Sequence, residues 1–245
     1  QRLTELLRID RVAQPFERNG RYFVWKKKAD DDLWTLFVRE GLDGEDQVLL
    51  DPHLLSPDHT TSVDIEAISM DGKLMAYSIR SGGTDETEIR LMDVDSREDL
   101  PDRCPAALYR GVTMRPDGSG IYYSLQDRKT GIRVHFHEIG GDTTNDPIVF
   151  GEGYGPSVWI GSTISESGRY LLFSVGHGWG RTELFFQDLE TNGPVTTIVD
   201  DLDASFYPRF GGDRLFVQTN WEAPNGRIME VDLANPEPEA WKEVV

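Results

Sequence analysis

Cysteine is almost missing from this chain: Cys104 stands alone in 245 residues. That excludes an internal disulfide framework and a zinc site built on cysteines. Lysine is scarce as well. Only six of the 25 basic residues are lysine, they face 43 acidic residues, and the net charge is −18. Such a surface repels phosphate backbones, so nucleic acid is not an expected partner. The one basic run, Lys26-Lys27-Lys28, adjoins Asp30-Asp31-Asp32 and reads as a solvated turn. No apolar run of about 18 residues occurs, which excludes a membrane-spanning helix, and a membrane is not an expected partner. The opening QRLTELLRID lacks a basic-then-apolar leader profile. No G-x-S-x-G is present, so the chain has no nucleophile elbow.

What is present is a repeated hairpin. Residues 64–95 carry two strands joined at Met70-Asp71-Gly72-Lys73, a glycine-rich excursion at Ser81-Gly82-Gly83 and a third strand. Leu74, Ala76 and Ser78 alternate with Met75, Tyr77 and Ile79, the period of a strand with two unlike faces. Asp-Gly supplies the positive φ values that a tight hairpin needs. The same turn recurs at Asn19-Gly20, Asp117-Gly118, Ser167-Gly168 and Gly211-Gly212, and the successive glycines stand 52, 46, 50 and 44 residues apart. A further strand follows each, at 33–40, 88–96, 134–140, 183–190 and 227–234. A four-stranded unit repeating every 40–50 residues or so is the pattern of a β-propeller blade. With 38% hydrophobic and 10% aromatic residues the chain has enough apolar surface for a packed core. A β-sandwich would not space one hairpin so evenly.

The expected fold class is therefore all-β: a partial propeller of about five four-stranded blades preceded by a short helix. Blades are expected at about 11–55, 62–102, 106–150, 156–202 and 204–245. Leu3, Leu6 and Leu7 fall at helical spacing, so residues 1–10 read as the end of a longer helix. The last residues, AWKEVV, stop where a strand is expected, and both ends look cut.

From the residues alone, chemistry stays open. His135 and His137 share a strand face that a metal could use, but no third ligand is near in sequence, and ordinary hydrogen bonds suffice for them. His53 and His59 flank a loop rich in Pro, Ser and Asp and read as surface. Asp93, Asp95, Glu98 and Asp99 begin like a calcium loop, yet the glycine at its sharp turn and the closing Glu are missing, which leaves a solvated turn. Residues 151–155, GEGYG, precede a strand rather than a helix N-terminus and lack a phosphate cradle. No metal or other cofactor is expected. Paired carboxylates for glycoside cleavage cannot be chosen among so many acids.

Several segments resemble one family in order along the chain. Asp51-Pro52-His53-Leu54-Leu55-Ser56-Pro57-Asp58 resembles the DPN-x-LS-x-D segment of prolyl oligopeptidases. Gly83-Thr84-Asp85, followed by EIRLMDVDSREDLPD, is similar to that family's GSD segment, strand and ELPD tail. His137-Glu138-Ile139-Gly140 with Asp146 resembles its YYH-x-LG…D strand pair. Residues 219–227, TNWEAPNGR, resemble its T-[ND]-x-x-APN-x-R motif, and Trp241-Lys242-Glu243-Val244 its W-x-E-[VI]. The His177-Gly178-Trp179 loop is closer to bacterial members.

The resemblance implies a serine endopeptidase that cuts short peptides after proline, with a seven-bladed propeller capping an α/β-hydrolase domain that carries Ser, Asp and His. This chain would supply the tail of an N-terminal helix and about five blades, with no catalytic residue of its own. Its partners would be the peptide substrate and the hydrolase domain of the same parent protein, and the compartment, cytoplasmic or periplasmic, stays open. Asp85 matches the GSD aspartate, which lies at the face meeting the peptidase domain and can pair there with a substrate-holding arginine. Tyr109 falls where the family places an aromatic of the substrate pocket. At Thr182-Glu183-Leu184 the chain departs from animal members, which carry a cavity-facing arginine. Two rival readings remain: a free-standing five-bladed ligand- or protein-binding module, and a five-bladed glycosidase with central carboxylates.

Overall fold

The computed structural model describes Arg2 and residues 8–245. The helix expected around Leu3, Leu6 and Leu7 lies outside the described residues. Among the described residues no helix is long and apolar enough to cross a membrane. Two compact units divide the chain, Gln1–Ala107 and Leu108–Val245.

The first unit holds two antiparallel sheets. Sheet one comprises β1 (Arg11–Val12), β2 (Phe16–Arg18), β3 (Arg21–Lys27), β4 (Thr35–Glu40) and β5 (Gln47–Leu50). Both β1 and β2 pair with β3, through Val12↔Lys26 and Phe16↔Phe23, and so form one interrupted strand. Pro15 sits in the interruption, where its missing N–H costs the ladder nothing. Sheet two runs in order through β6 (Thr61–Ile68), β7 (Leu74–Ser81), β8 (Thr87–Asp93) and β9 (Glu98–Ala107). The sheets share one core, in which Phe23, Leu36 and Val38 meet Val63, Met75 and Tyr77.

The second unit holds three sheets of the same order. They are β10 (Tyr109–Met114), β11 (Gly120–Asp127), β12 (Gly131–Glu138) and β13 (Ile148–Phe150); β14 (Trp159–Ile164), β15 (Tyr170–His177), β16 (Arg181–Asp188) and β17 (Thr196–Val199); and β18 (Phe206–Gly211), β19 (Arg214–Thr219), β20 (Arg227–Val231) and β21 (Lys242–Glu243). Period-2 geometry decides what the middle sheet buries. Leu171, Phe173 and Val175 of β15 pack toward the core shared with Tyr122, Ile132 and Val134. Leu172, between them, packs with Leu215, Val217 and Phe206 of the last sheet. A strand between two sheets has no solvent face. In β7, Ala76 and Ser78 are as buried as Met75 and Tyr77. Alternation there separates small from large packed residues, not inside from outside.

Four of the five recurrent turns are of two kinds. At Asn19-Gly20 both residues have positive φ, 50° and 82°, as a two-residue type I′ hairpin demands. At Gly72, Gly118 and Gly168 the glycine alone is left-handed, and its N–H donates to the carbonyl three residues back: Ser69, Arg115 and Ser165, each at 2.9 Å. The preceding Asp71 and Asp117 keep negative φ, so the Asp-Gly expectation of two positive values holds only in part. Their role is electrostatic and local. Asp71 accepts from the Ser69 hydroxyl at 2.6 Å and from Lys73 N–H at 3.0 Å, which holds its carboxyl below the usual range.

Candidate functional site

Five residues past each turn glycine, the second strand of each sheet carries Trp25, Tyr77, Tyr123, Phe173 and Val217. In two sheets this ring is a tyrosine, and its hydroxyl then needs a buried partner. Tyr77 donates to Asp99 Oδ1 at 2.7 Å. Burial, then this bond to a carboxylate, pushes the Tyr77 phenol well up. Asp99 also lies 3.4 Å from Arg90, so it is no part of a solvated turn. Tyr123 donates to Asp146 Oδ2 at 2.9 Å, and His137 Nδ1 lies 2.9 Å from Asp146 Oδ1. His135 Nδ1 lies 3.3 Å from the Asp146 carbonyl, and its ring stacks on Tyr123 at 5.2 Å. The strand-face histidines therefore share one aspartate. Among the described residues, no three His, Cys, Asp or Glu side chains are grouped to hold a metal ion. His53 and His59 are half-buried rather than simply surface: each meets an aspartate, Asp51 and Asp32, and their rings meet edge to face at 5.0 Å.

Tyr109 opens β10, half-buried, with its ring edge-on to Tyr123 at 5.6 Å. It thus sits on the Tyr123–Asp146–His135 cluster, just before a register shift at Tyr109/Val112.

Asp85 lies in the first unit, exposed on the loop between β7 and β8. The loop is tied down around it. Gly82 and Gly83 take φ of 60° and 70°, Thr84 Oγ1 donates to the Ser81 and Glu86 carbonyls at 3.0 and 3.1 Å, and Arg80 donates to the Thr84 carbonyl at 2.8 Å. The carboxylate is held out on an ordered loop, and no described residue neutralises it.

One polar group was not visible as a site in the sequence. Glu183 on β16, only 7% exposed, accepts from Tyr154 Oη at 2.6 Å and Arg181 Nη2 at 2.9 Å, and His177 Nε2 lies 2.8 Å away, off the line of a good hydrogen bond. Burial, then the bond to Glu183, raises the Tyr154 phenol. The tyrosine of GEGYG is what reaches this acid, so that segment anchors the sheet as well as connecting it. Arg181-x-Glu183 on one strand face was the available signal; Tyr154, 29 residues away, carried none.

Comparison with known proteins places this geometry. A family model described as the prolyl oligopeptidase N-terminal β-propeller domain matches residues 1–245. The prolyl endopeptidase of Elizabethkingia meningoseptica is 27% identical over 256 residues, which cover 100% of this chain and 36% of that protein. A solved structure from a study of two prolyl endopeptidases superposes with a TM-score of 0.93 at 30% identity, over 100% of this chain and 37% of that one. Prolyl oligopeptidase B from Galerina marginata, bound to a 35mer hydrolysis and macrocyclization substrate, superposes at 0.85 with 20% identity, covering 100% and 39%, and shows the shared fold. The chain spans little more than a third of the length of these relatives.

Proposed function

Because the chain belongs to the prolyl oligopeptidase N-terminal β-propeller family, we propose that it is the substrate-gating part of a serine endopeptidase that cleaves short peptides after proline. Its fold is all-β, five antiparallel sheets of a partial propeller. In the parent protein a serine attacks the scissile carbonyl, a histidine moves the proton and an aspartate holds the histidine. Those groups belong to an α/β-hydrolase domain, so residues 1–245 alone turn nothing over. The propeller admits flexible peptides and turns folded proteins away. It also screens the site from bulk water, which strengthens the electrostatic stabilisation of the acyl-transfer transition state.

Asp85 is the observation that supports this most directly. An exposed carboxylate fixed on a tied loop suits a partner outside the chain, and the reading gives it an arginine of the hydrolase domain that orients substrate. Tyr109 contributes an aromatic wall to the substrate pocket, backed by Tyr123. In the whole protein, Asp85→Ala is expected to lower kcat/KM for a proline-containing chromogenic peptide by tenfold or more, while Asp85→Glu retains more of the rate. The isolated chain is expected to show no turnover. Turnover by residues 1–245, or a whole protein that ignores serine-directed fluorophosphonates, would defeat the reading.

A further inference from the structure

The first unit holds a 370 Å³ pocket walled by residues of both its sheets. Trp25 on β3 and Trp34, just before β4, bring two half-buried indole rings to it. Val63 on β6 and Pro52, both buried, add apolar wall. Lys27, Asp32 and Asp64 are the charged groups of the lining.

Two of these three charges are already engaged. Lys27 Nζ donates to the Asp32 carbonyl at 2.9 Å rather than to a carboxylate. Asp32 Oδ2 lies 2.9 Å from His59 Nδ1, and this bond holds its carboxyl below the usual range. Asp64, exposed on β6, has no hydrogen bond or ion pair with a described residue. The lining thus sets two carboxylates against one ammonium and leaves one carboxylate free.

The rings are uncapped too. Partly exposed rings elsewhere in this chain carry one of its own cations: Arg227 lies over Trp221 at 5.3 Å, Arg169 over Tyr170 at 4.8 Å and Lys26 over Phe37 at 5.5 Å. Among the described residues, no cation lies over Trp25 or Trp34. Paired indoles beside an unpaired carboxylate attract an organic cation, through the ring quadrupoles and the opposite charge together.

We propose that this pocket binds a guanidinium group. A guanidinium is planar and weakly hydrated, so it stacks on an indole face better than an ammonium does. Its fork of N–H donors also matches the two unengaged oxygens of Asp64. The proposal holds whether or not the parent protein is a peptidase.

The probes are N-acetyl-arginine amide and N-acetyl-citrulline amide, which carries a neutral urea of the same shape. Titrated calorimetrically into the 245-residue chain at low salt, the arginine probe is expected to saturate and to bind about tenfold tighter than its counterpart. Asp64→Asn should remove most of that preference, and Trp34→Leu should weaken the arginine probe about fivefold. Asp64 is exposed and unbonded, so its substitution leaves the fold intact, which circular dichroism and melting curves check. Absent binding, equal affinity for the two probes, or affinity unchanged in both variants would overturn the assignment. The whole protein then distinguishes the sources of the cation. If the ligand is a free small molecule, the arginine probe binds the whole protein as it binds the chain. If an arginine of the parent protein fills the pocket, the probe is excluded and Asp64→Asn lowers Tm. A whole protein that neither binds the probe nor loses Tm would also overturn the assignment.

Discussion

Tyr77 illustrates how much rests on one atom. Its hydroxyl, in a core where the residue is 2% exposed, is satisfied by Asp99 across the sheet. Tyr77→Phe keeps the ring and removes the bond, so it should cost about 1 kcal/mol in urea unfolding at neutral pH. The pH dependence follows from the raised phenol. The folded state holds the proton beyond the point, near pH 10, at which an unfolded tyrosine gives it up. Stability from this group is therefore complete below about pH 10 and drains as pH rises toward the folded value. Wild type should lose stability across that alkaline range, and Tyr77→Phe should lose less; parallel slopes would show that Tyr77 is not the group responsible. The tyrosine was legible as a core ring from its alternation. Its partner was not, because Asp99 is 22 residues away in a stretch that reads as a polar turn.

At the scale of elements, the turns are set by single glycines. Gly72 has φ of 72°, and a Cβ there would approach the Arg18 carbonyl to 3.0 Å. Gly72→Ala should destabilise by about 1–2 kcal/mol through left-handed strain alone, with crowding added. Gly20, whose Cβ would meet nothing within 4 Å, should respond through strain only. Comparing the two melting temperatures separates the contributions, and equal losses would remove the role given to Arg18. Recurring glycines made the hairpins readable in the sequence. Which turn each would form was not, since it depends on how Ser69 or Ser165 caps the loop: Ser69 Oγ accepts from Leu74 N–H at 2.9 Å and Ser165 Oγ from Tyr170 N–H at 3.1 Å.

Over the whole molecule the dominant long-range quantity is charge. At −18, self-repulsion opposes the compact state, and its range exceeds that of the local ion pairs. Raising salt from about 10 mM to about 150 mM shortens the screening length to about 8 Å and should raise Tm. A fall would mean that pairs such as Arg169–Asp188 and Arg214–Glu230 outweigh the general repulsion.

The hairpins, their spacing and the alternation of the strands were determined by the sequence alone, because a left-handed glycine and a two-residue period act over neighbouring positions and need no knowledge of the rest. The motifs around Asp85 and at residues 219–227 likewise tied the chain to its family. Only the tertiary structure decided that β7 and β15 have no solvent face, and that Asp99, Asp146 and Glu183 each meet a tyrosine. Such meetings depend on distances between residues tens of positions apart, which strand register and sheet packing fix and local pattern does not encode.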